Sequence, residues 1–132
     1  MKTIAIVAGV VKNNNKYLLL KRHNNHRYSP NEWEYISGTF DTKETGEEIV
    51  VREVLEEANL NSKILNSGKV LEIVEEDIRW VVCPYLLESS STNVTISDEH
   101  NEFCWIKKDE IQSLCQHNEF DFLSQVLSNL GQ

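Results

Sequence analysis

The sequence predicts an α/β layered domain in which helices pack on a mixed β-sheet. Three observations predict it. Stretches rich in β-branched and aromatic residues fill the first forty residues and return between 64 and 106. One well-capped helical stretch stands between them. Two further helical stretches close the chain. Elements in that order bury their apolar sides best as helices laid on a sheet.

Taken in order, TIAIVAGVV (3–11) reads as a buried strand and KYLLLKR (16–22) as its hairpin partner. The turn between them is Lys12-Asn13-Asn14-Asn15, and asparagine tolerates the left-handed conformation that tight turns need. HNNHRYSPN (23–31) is a polar loop ending in a proline turn. EWEYIS (32–37) alternates like a short strand, and a second loop runs from Gly38 to Lys43. Thr45-Gly46-Glu47-Glu48 has the form of a capping box, with Thr45 as N-cap and Glu48 reaching back. The helix then spans Gly46 to Ala58, and Asn59 ends it, being the usual second choice after glycine at a left-handed cap. ILNSGKVLEIVEE (64–76) and IRWVVCPYLLES (78–89) read as two longer strands around a turn near Asp77. VTIS (94–97) reads as a short strand and EFCWI (102–106) as another. KKDEIQSLC (107–115) and EFDFLSQVLSNL (119–130) read as helices.

The 132 residues fit one domain, 1–132, with no repeat and no dividing linker. Hydrophobic content of 40% and charged content of 26% are ordinary for a soluble globular chain. A net charge of −8 argues against a general nucleic-acid binder, which needs a basic face. It leaves room for a small phosphorylated ligand, because a bound divalent cation reverses the local field. Cys83, Cys104 and Cys115 form no CxxC pair, so neither a disulfide framework nor a zinc site is expected. Free thiols fit a reducing cytosol. The apolar start is too short for a membrane span and has no small-residue cleavage site. These features predict a cytoplasmic protein.

The helix carries an unusual load. Glu53, Glu56 and Glu57 fall within about 100° of one another on its surface. Val51, Val54, Leu55 and Ala58 form a broad stripe on another side, expected to face the core. Like charges at this spacing repel by about 0.2–0.5 kcal/mol per pair. One explanation is a solvated acidic face in which Arg52 bridges Glu48 and Glu56. The other is a site for a hard divalent cation, since magnesium takes oxygen ligands and is shared between carboxylates and substrate phosphates. Gly38, between a strand and the loop to Glu44, can turn sharply and offer its carbonyl to the same cation.

Residues 38–60, GTFDTKETGEEIVVREVLEEANL, resemble the Nudix box: G, five residues, E, seven residues, then R-E-U-x-E-E-x-G-U, where U is a bulky aliphatic. Gly38, Glu44, Arg52, Glu53, Val54, Glu56, Glu57 and Leu60 match in type and spacing. Asn59 stands where the family has glycine. Ser37 replaces the first glycine of a common Gly-Gly pair, and Lys43 stands where glycine often precedes the glutamate. The N-terminal hairpin, the W-E-Y strand and an E-H…W pattern extend the likeness over most of the chain.

The resemblance implies a Nudix-type α/β/α sandwich. It also implies a Mg2+- or Mn2+-dependent pyrophosphohydrolase acting on a nucleoside diphosphate linked to another group. By this likeness Glu53, Glu56, Glu57 and the Gly38 carbonyl are the metal ligands. By the same likeness Arg52 orients a carboxylate by a bidentate contact, that of Glu44, which supports the box. The general base is either a box glutamate, Glu53, or a carboxylate of the later segment SDEHNEFCW (97–105), Glu99 or Glu102. Trp33, Tyr35, Tyr28 and Phe40 are expected near the pocket mouth, where an aromatic ring could stack a base, while an aromatic in a strand is more commonly core. Arg27, with His23 and His26, could meet phosphates from the loop.

Nucleoside triphosphates or modified nucleotides lead as the expected substrates. The segment VTISDEHNEFCWIKKDEIQSL also resembles diadenosine tetraphosphate hydrolases, although WEYISGTF departs from their W-x-x-P-K-G-H entry at Ile36 and Thr39. A nucleotide sensor on the same fold is the alternative of another class, and RNA processing lacks the basic surface it needs. A homodimer through the strand pair 64–89 is a further expectation from the family.

Overall fold

Lys2–Asn13 forms β1, and the rest of the sheet is assembled around it. The structure, a computed structural model, describes residues 1–27 and 29–132. β2 (Lys16–Arg22) returns antiparallel after a two-residue turn in which Asn14 adopts φ 55°. β3 (Trp33–Glu34) pairs with β2, and β4 (Ile36–Thr39) pairs antiparallel with β1. α1 (Gly46–Ala58) then crosses the sheet. β5 (Lys63–Ser67) and β6 (Leu71–Glu75) both pair antiparallel with β7 (Ile78–Glu88), and β7 runs parallel to β1 along its length. β8 (His100–Lys107) closes the other side against β2. A 3-10 turn (Lys108–Glu110) leads into the short α2 (Ile111–Leu114) and then α3 (His117–Asn129). The eight strands make one mixed sheet.

Alternation along the strands decides what covers each face. Leu18 and Leu20 of β2 join Val7, Val11 and Ile36 against Ile49, Val50, Val54 and Ala58 of α1. Tyr17 and Leu19 point the other way, joining Val10, Tyr35 and Leu86 against Leu123, Val126 and Leu127 of α3. The result is the expected α/β/α sandwich. Gly9 shows how tightly α1 is seated: a Cβ there would lie 2.7 Å from Val50 Cγ2. All three cysteines are free, and no helix among the described residues is long and apolar enough to cross a membrane.

The limits of α1 match the sequence expectation. Thr45 Oγ1 accepts from the Glu48 amide, the Glu48 carboxylate accepts from the Thr45 amide, and Asn59 closes the helix at φ 56°, ψ 38°. Other elements differ. The strand expected at 32–37 divides at Tyr35, and Gly38 lies inside β4, paired with Val7, instead of opening a loop. The strand expected at 64–76 breaks at Gly68, whose amide turns to the Pro84 carbonyl. Residues 94–97 form no strand, because the Thr95 amide caps the Ala58 carbonyl at the end of α1 while Val94 and Ile96 pack on the core. The helix expected at 107–115 is a 3-10 turn and one turn of α2, and α3 starts earlier than expected, at His117.

Candidate functional site

The core stripe of α1 is rotated from the one expected. Val51 and Leu55 are 38% and 47% exposed, and the buried positions are Ile49, Val50, Val54, Glu57 and Ala58. This rotation puts Glu57 under the protein surface, 3% exposed, at the edge of α1 that faces β3 and the start of β8. Glu53 lies one turn earlier against β4. A Cβ at Gly38 would sit 2.7 Å from Glu53 Cγ, so only glycine lets the strand come this close. Glu56 remains exposed on the outer side of the helix.

Arg52 ties the outer carboxylates together. Its Nε donates to Glu44 Oε2 at 2.9 Å and its Nη2 to Glu44 Oε1 at 2.7 Å, a bidentate pair. Its Nη1 donates to Glu53 Oε1 at 2.8 Å and Glu56 Oε2 at 3.1 Å. Glu48 is engaged in the cap and takes no part. The Arg52 hydrogen bonds, with one from Thr42, hold the Glu44 carboxyl below its ordinary range. Glu53 and Glu57 shift upward, chiefly through burial. Glu57 is raised furthest, and the neighbouring carboxylates Glu53, Glu34 and Glu99 add to its burial. One of its oxygens, Oε2, is buried with no hydrogen-bond partner. A buried carboxylate left in this state costs about 1–3 kcal/mol or more. The donor set, hard oxygens with one of them unsatisfied, fits a divalent cation.

Two residues given no role from the sequence complete this corner. His100 Nε2 lies 2.7 Å from Glu34 Oε2 and 3.8 Å from Glu57 Oε1, and the other oxygen of Glu34 receives Arg22 Nη2 at 2.7 Å. Glu34, Glu57 and His100 offer atoms within 4.8 Å of one another and could hold a metal ion. The signal for Glu34 was present in WEYIS, where strand alternation puts it on the same face as Ile36. His100 stood in the E-H…W pattern of the likeness, but nothing local gave it a role.

The remaining candidates divide between the two faces of the sheet. Glu99 is exposed on the turn before β8, and its charge bears on Glu57. Glu102 is on the far face: it pairs with Lys21 at 3.4 Å, and Lys21 sits over Trp33 on the α3 side. The sheet therefore separates Glu102 from the carboxylates of α1, which removes it as their general base. Trp33 lines a cavity of about 400 Å³ between the sheet and α3, with Trp80, Ile73, Phe122 and Asn118. Tyr35 corrects the expectation of a stacking ring. It is 2% exposed in the core, and its hydroxyl donates to the Leu123 carbonyl. Phe40 is 39% exposed but packs by the start of α1 at Gly46, outside that cavity. Arg27 is exposed on the 23–32 loop, where the His23 amide donates to the Glu99 carbonyl and His26 bonds Arg22. Tyr28 lies outside the described residues. Trp105 packs against the α1-side core and donates to the Thr92 carbonyl.

Comparison with known proteins bears on this arrangement. The family model described as NUDIX domain matches residues 2–125. The dihydroneopterin triphosphate diphosphatase of Haemophilus influenzae is 28% identical over 119 residues, covering 90% of this chain and 72% of that protein. The nucleoside triphosphatase NudI of Salmonella agona is 27% identical over 124 residues, covering 84% of this chain and 86% of that protein. Among solved structures, a MutT protein from Methanosarcina mazei superposes with a TM-score of 0.84 at 21% identity, over 99% of this chain and 97% of that one. A C. elegans Ap4A hydrolase superposes with a TM-score of 0.71 at 20% identity, over 99% and 98%. At these identities the two structures bear on the fold alone.

Proposed function

The chain belongs to the Nudix family of pyrophosphohydrolases, and from that premise we propose that it hydrolyses a phosphoanhydride bond of a nucleoside triphosphate or a modified nucleotide, with Mg2+ or Mn2+ as cofactor. The observation that carries the reading is the buried, under-satisfied carboxylate of Glu57 beside Glu53. Glu53, Glu56 and Glu57 hold the cation together with the Gly38 carbonyl. Arg22 and His100 between them occupy both oxygens of Glu34, so Glu34 is not counted among them. When bound, a divalent ion neutralises phosphate charge and polarises water.

The protein's own residues supply the rest. Arg52, fixed by its fork on Glu44, holds the carboxylates of Glu53 and Glu56 in place. Glu53 is engaged by Arg52, whereas Glu99 is exposed and its charge bears on Glu57. Glu99 therefore takes the proton of the attacking water. Its oxygen bonds to phosphorus, the bridging P–O bond breaks, and a phosphate or pyrophosphate leaves. The cavity against Trp33 and Trp80 also reaches Glu34 and Arg22, which hold His100 beside Glu57, and the heterocycle lies there. The two curated relatives named above act on triphosphates by name, which supports a triphosphate over a dinucleotide.

The test is an assay with Mg2+ and, in parallel, Mn2+. Nucleoside triphosphates, oxidised nucleotides, pterin triphosphates, dinucleoside polyphosphates and ADP-ribose are offered to the purified protein and to Glu56→Gln. Metal-dependent turnover of a triphosphate that is lost in Glu56→Gln supports the proposal. Equal turnover by Glu56→Gln overturns the site. Silence across the panel from folded, metal-bound protein overturns the activity.

A further inference from the structure

We propose that His100 is a positioning residue of the carboxylate site, held by Glu34 and Arg22, and that it sets the side chain of Glu57. The inference rests on the metal site proposed above.

The placement of His100 comes from a break in strand register. Along β2 and β8, Leu20 opposes Phe103 and Lys21 opposes Glu102, so a regular ladder would oppose Arg22 to Asn101. Instead Arg22 opposes His100, and Asn101 is the extra residue. A bulge of this kind re-aims the side chains beyond it. By simple alternation His100 would share the far face with Glu102. The bulge turns it to the α1 face, where Glu57 and Glu34 lie.

Its surroundings then dictate its orientation. The side chain of His100 is 1% exposed. Glu34, whose other oxygen is paired with Arg22, accepts at Nε2, so Nε2 carries the proton. Glu34 takes that proton at 2.7 Å while Arg22 locks its other oxygen. Nδ1 is buried without a partner, so the Glu34 bond is what fixes the ring. At 3.8 Å from Glu57 Oε1, the N–H edge limits where that carboxylate can turn without satisfying it. Glu57 is left confined yet short of donors, ready for a cation. The turn before His100 is held by backbone bonds of its own. The His100 amide donates to the Ser97 carbonyl, and the carbonyl of Glu99 accepts from the His23 amide at 2.9 Å. The backbone of Glu99 is thus held on both sides and its side chain is exposed.

The experiment compares Mn2+ affinity by electron paramagnetic resonance, kcat at saturating Mn2+, and folding by circular dichroism. His100→Phe keeps the buried volume and removes the N–H. It is expected to fold, to bind Mn2+ about tenfold or more weakly, and to lose kcat by about tenfold or more. His100→Gln restores a donor and is expected to recover both to within about threefold of the parent. If His100→Phe does not fold, Glu34→Ala, which unties the ring, is expected to give the same two losses. A folded His100→Phe or Glu34→Ala with parental Mn2+ affinity and kcat overturns the positioning role. Failure of His100→Gln to rescue also overturns it, since packing alone would then explain the residue. Glu57→Gln separates the two readings. If it too binds Mn2+ normally, the metal site itself is wrong and this inference falls with it. If it loses Mn2+ while His100→Phe does not, only the positioning role fails.

Discussion

Two glutamates of this protein are buried to almost the same extent and live under opposite conditions. Glu57 of α1 is 3% exposed and Glu119 of α3 is 6% exposed. Each sits in a helix of 13 residues that opens with a capping box. Glu119 spends both oxygens: one accepts the Trp33 amide at 3.2 Å and the other the Gln116 amide at 2.7 Å. It caps its own helix and ties that helix to β3. Glu57 has one oxygen with no partner and the other 3.8 Å from the nearest imidazole N–H. Burial alone therefore does not say what an acid is for. A buried carboxylate supplied with donors holds the fold together, and one kept short of donors waits for something the chain does not contain.

The sharpest way to break the comparison is to neutralise each acid in turn. Glu57→Gln is expected to lower kcat by about a hundredfold or more, within the range for loss of electrostatic stabilisation of developing charge. The fold, read by circular dichroism, should survive. Substantial turnover in this variant would put Glu57 in the same class as Glu119. Glu119→Ala should do the reverse. It strands the Trp33 and Gln116 amides, so a loss of about 1–3 kcal/mol is expected, several degrees in Tm, with Mn2+ binding unchanged.

A pH titration of stability sharpens the contrast. Burial first, and then the neighbouring Glu53 carboxyl, hold the Glu57 carboxyl well above its usual 4.5. An acid with a raised pKa in the folded state binds its proton more tightly folded than unfolded. Its stabilising contribution is full below the unfolded value and is lost as pH rises through the folded one. Metal-free protein should therefore lose Tm relative to Glu57→Gln as pH rises from about 5 toward 8. Saturating Mn2+ should reverse the order at the upper end, because the ion stabilises only the protein that binds it. Parallel melting curves without metal would show that Glu57 does not carry the strain assigned to it.

The smallest expected effect lies at the end of the same helix. Asn59 fills a left-handed cap at φ 56°, and its amide bonds the Leu55 carbonyl. Asn59→Gly should raise stability by up to about 1 kcal/mol with activity unchanged. A loss of activity would mean that the cap also governs where Glu57 stands.

How much was legible in the sequence follows the range of the interactions involved. α1 could be read from its first residue to its last because its caps lie within three or four residues of what they cap. The fork of Arg52 on Glu44 was legible too, since helix and loop keep the two within eight residues. β3 and β4 were harder, because Gly38 belongs to the strand or the loop depending on whether β1 is there to pair with it. Val51 and Leu55 were misplaced because amphipathic spacing gives a stripe, while the rotation of that stripe depends on what the helix lands on.

The sequence by itself determined the helix, its caps, its carboxylates and the alternation that builds a two-faced sheet. These rest on hydrogen bonds and side-chain spacings that local geometry sets. Only the tertiary structure decided that Tyr35 is core, that Glu102 lies across the sheet from the site, and that His100 and Glu34 meet beside Glu57. His100 and Glu34 are 66 residues apart. Their meeting depends on one extra residue in β8, and a shift of one residue in a strand moves every side chain beyond it to the other face.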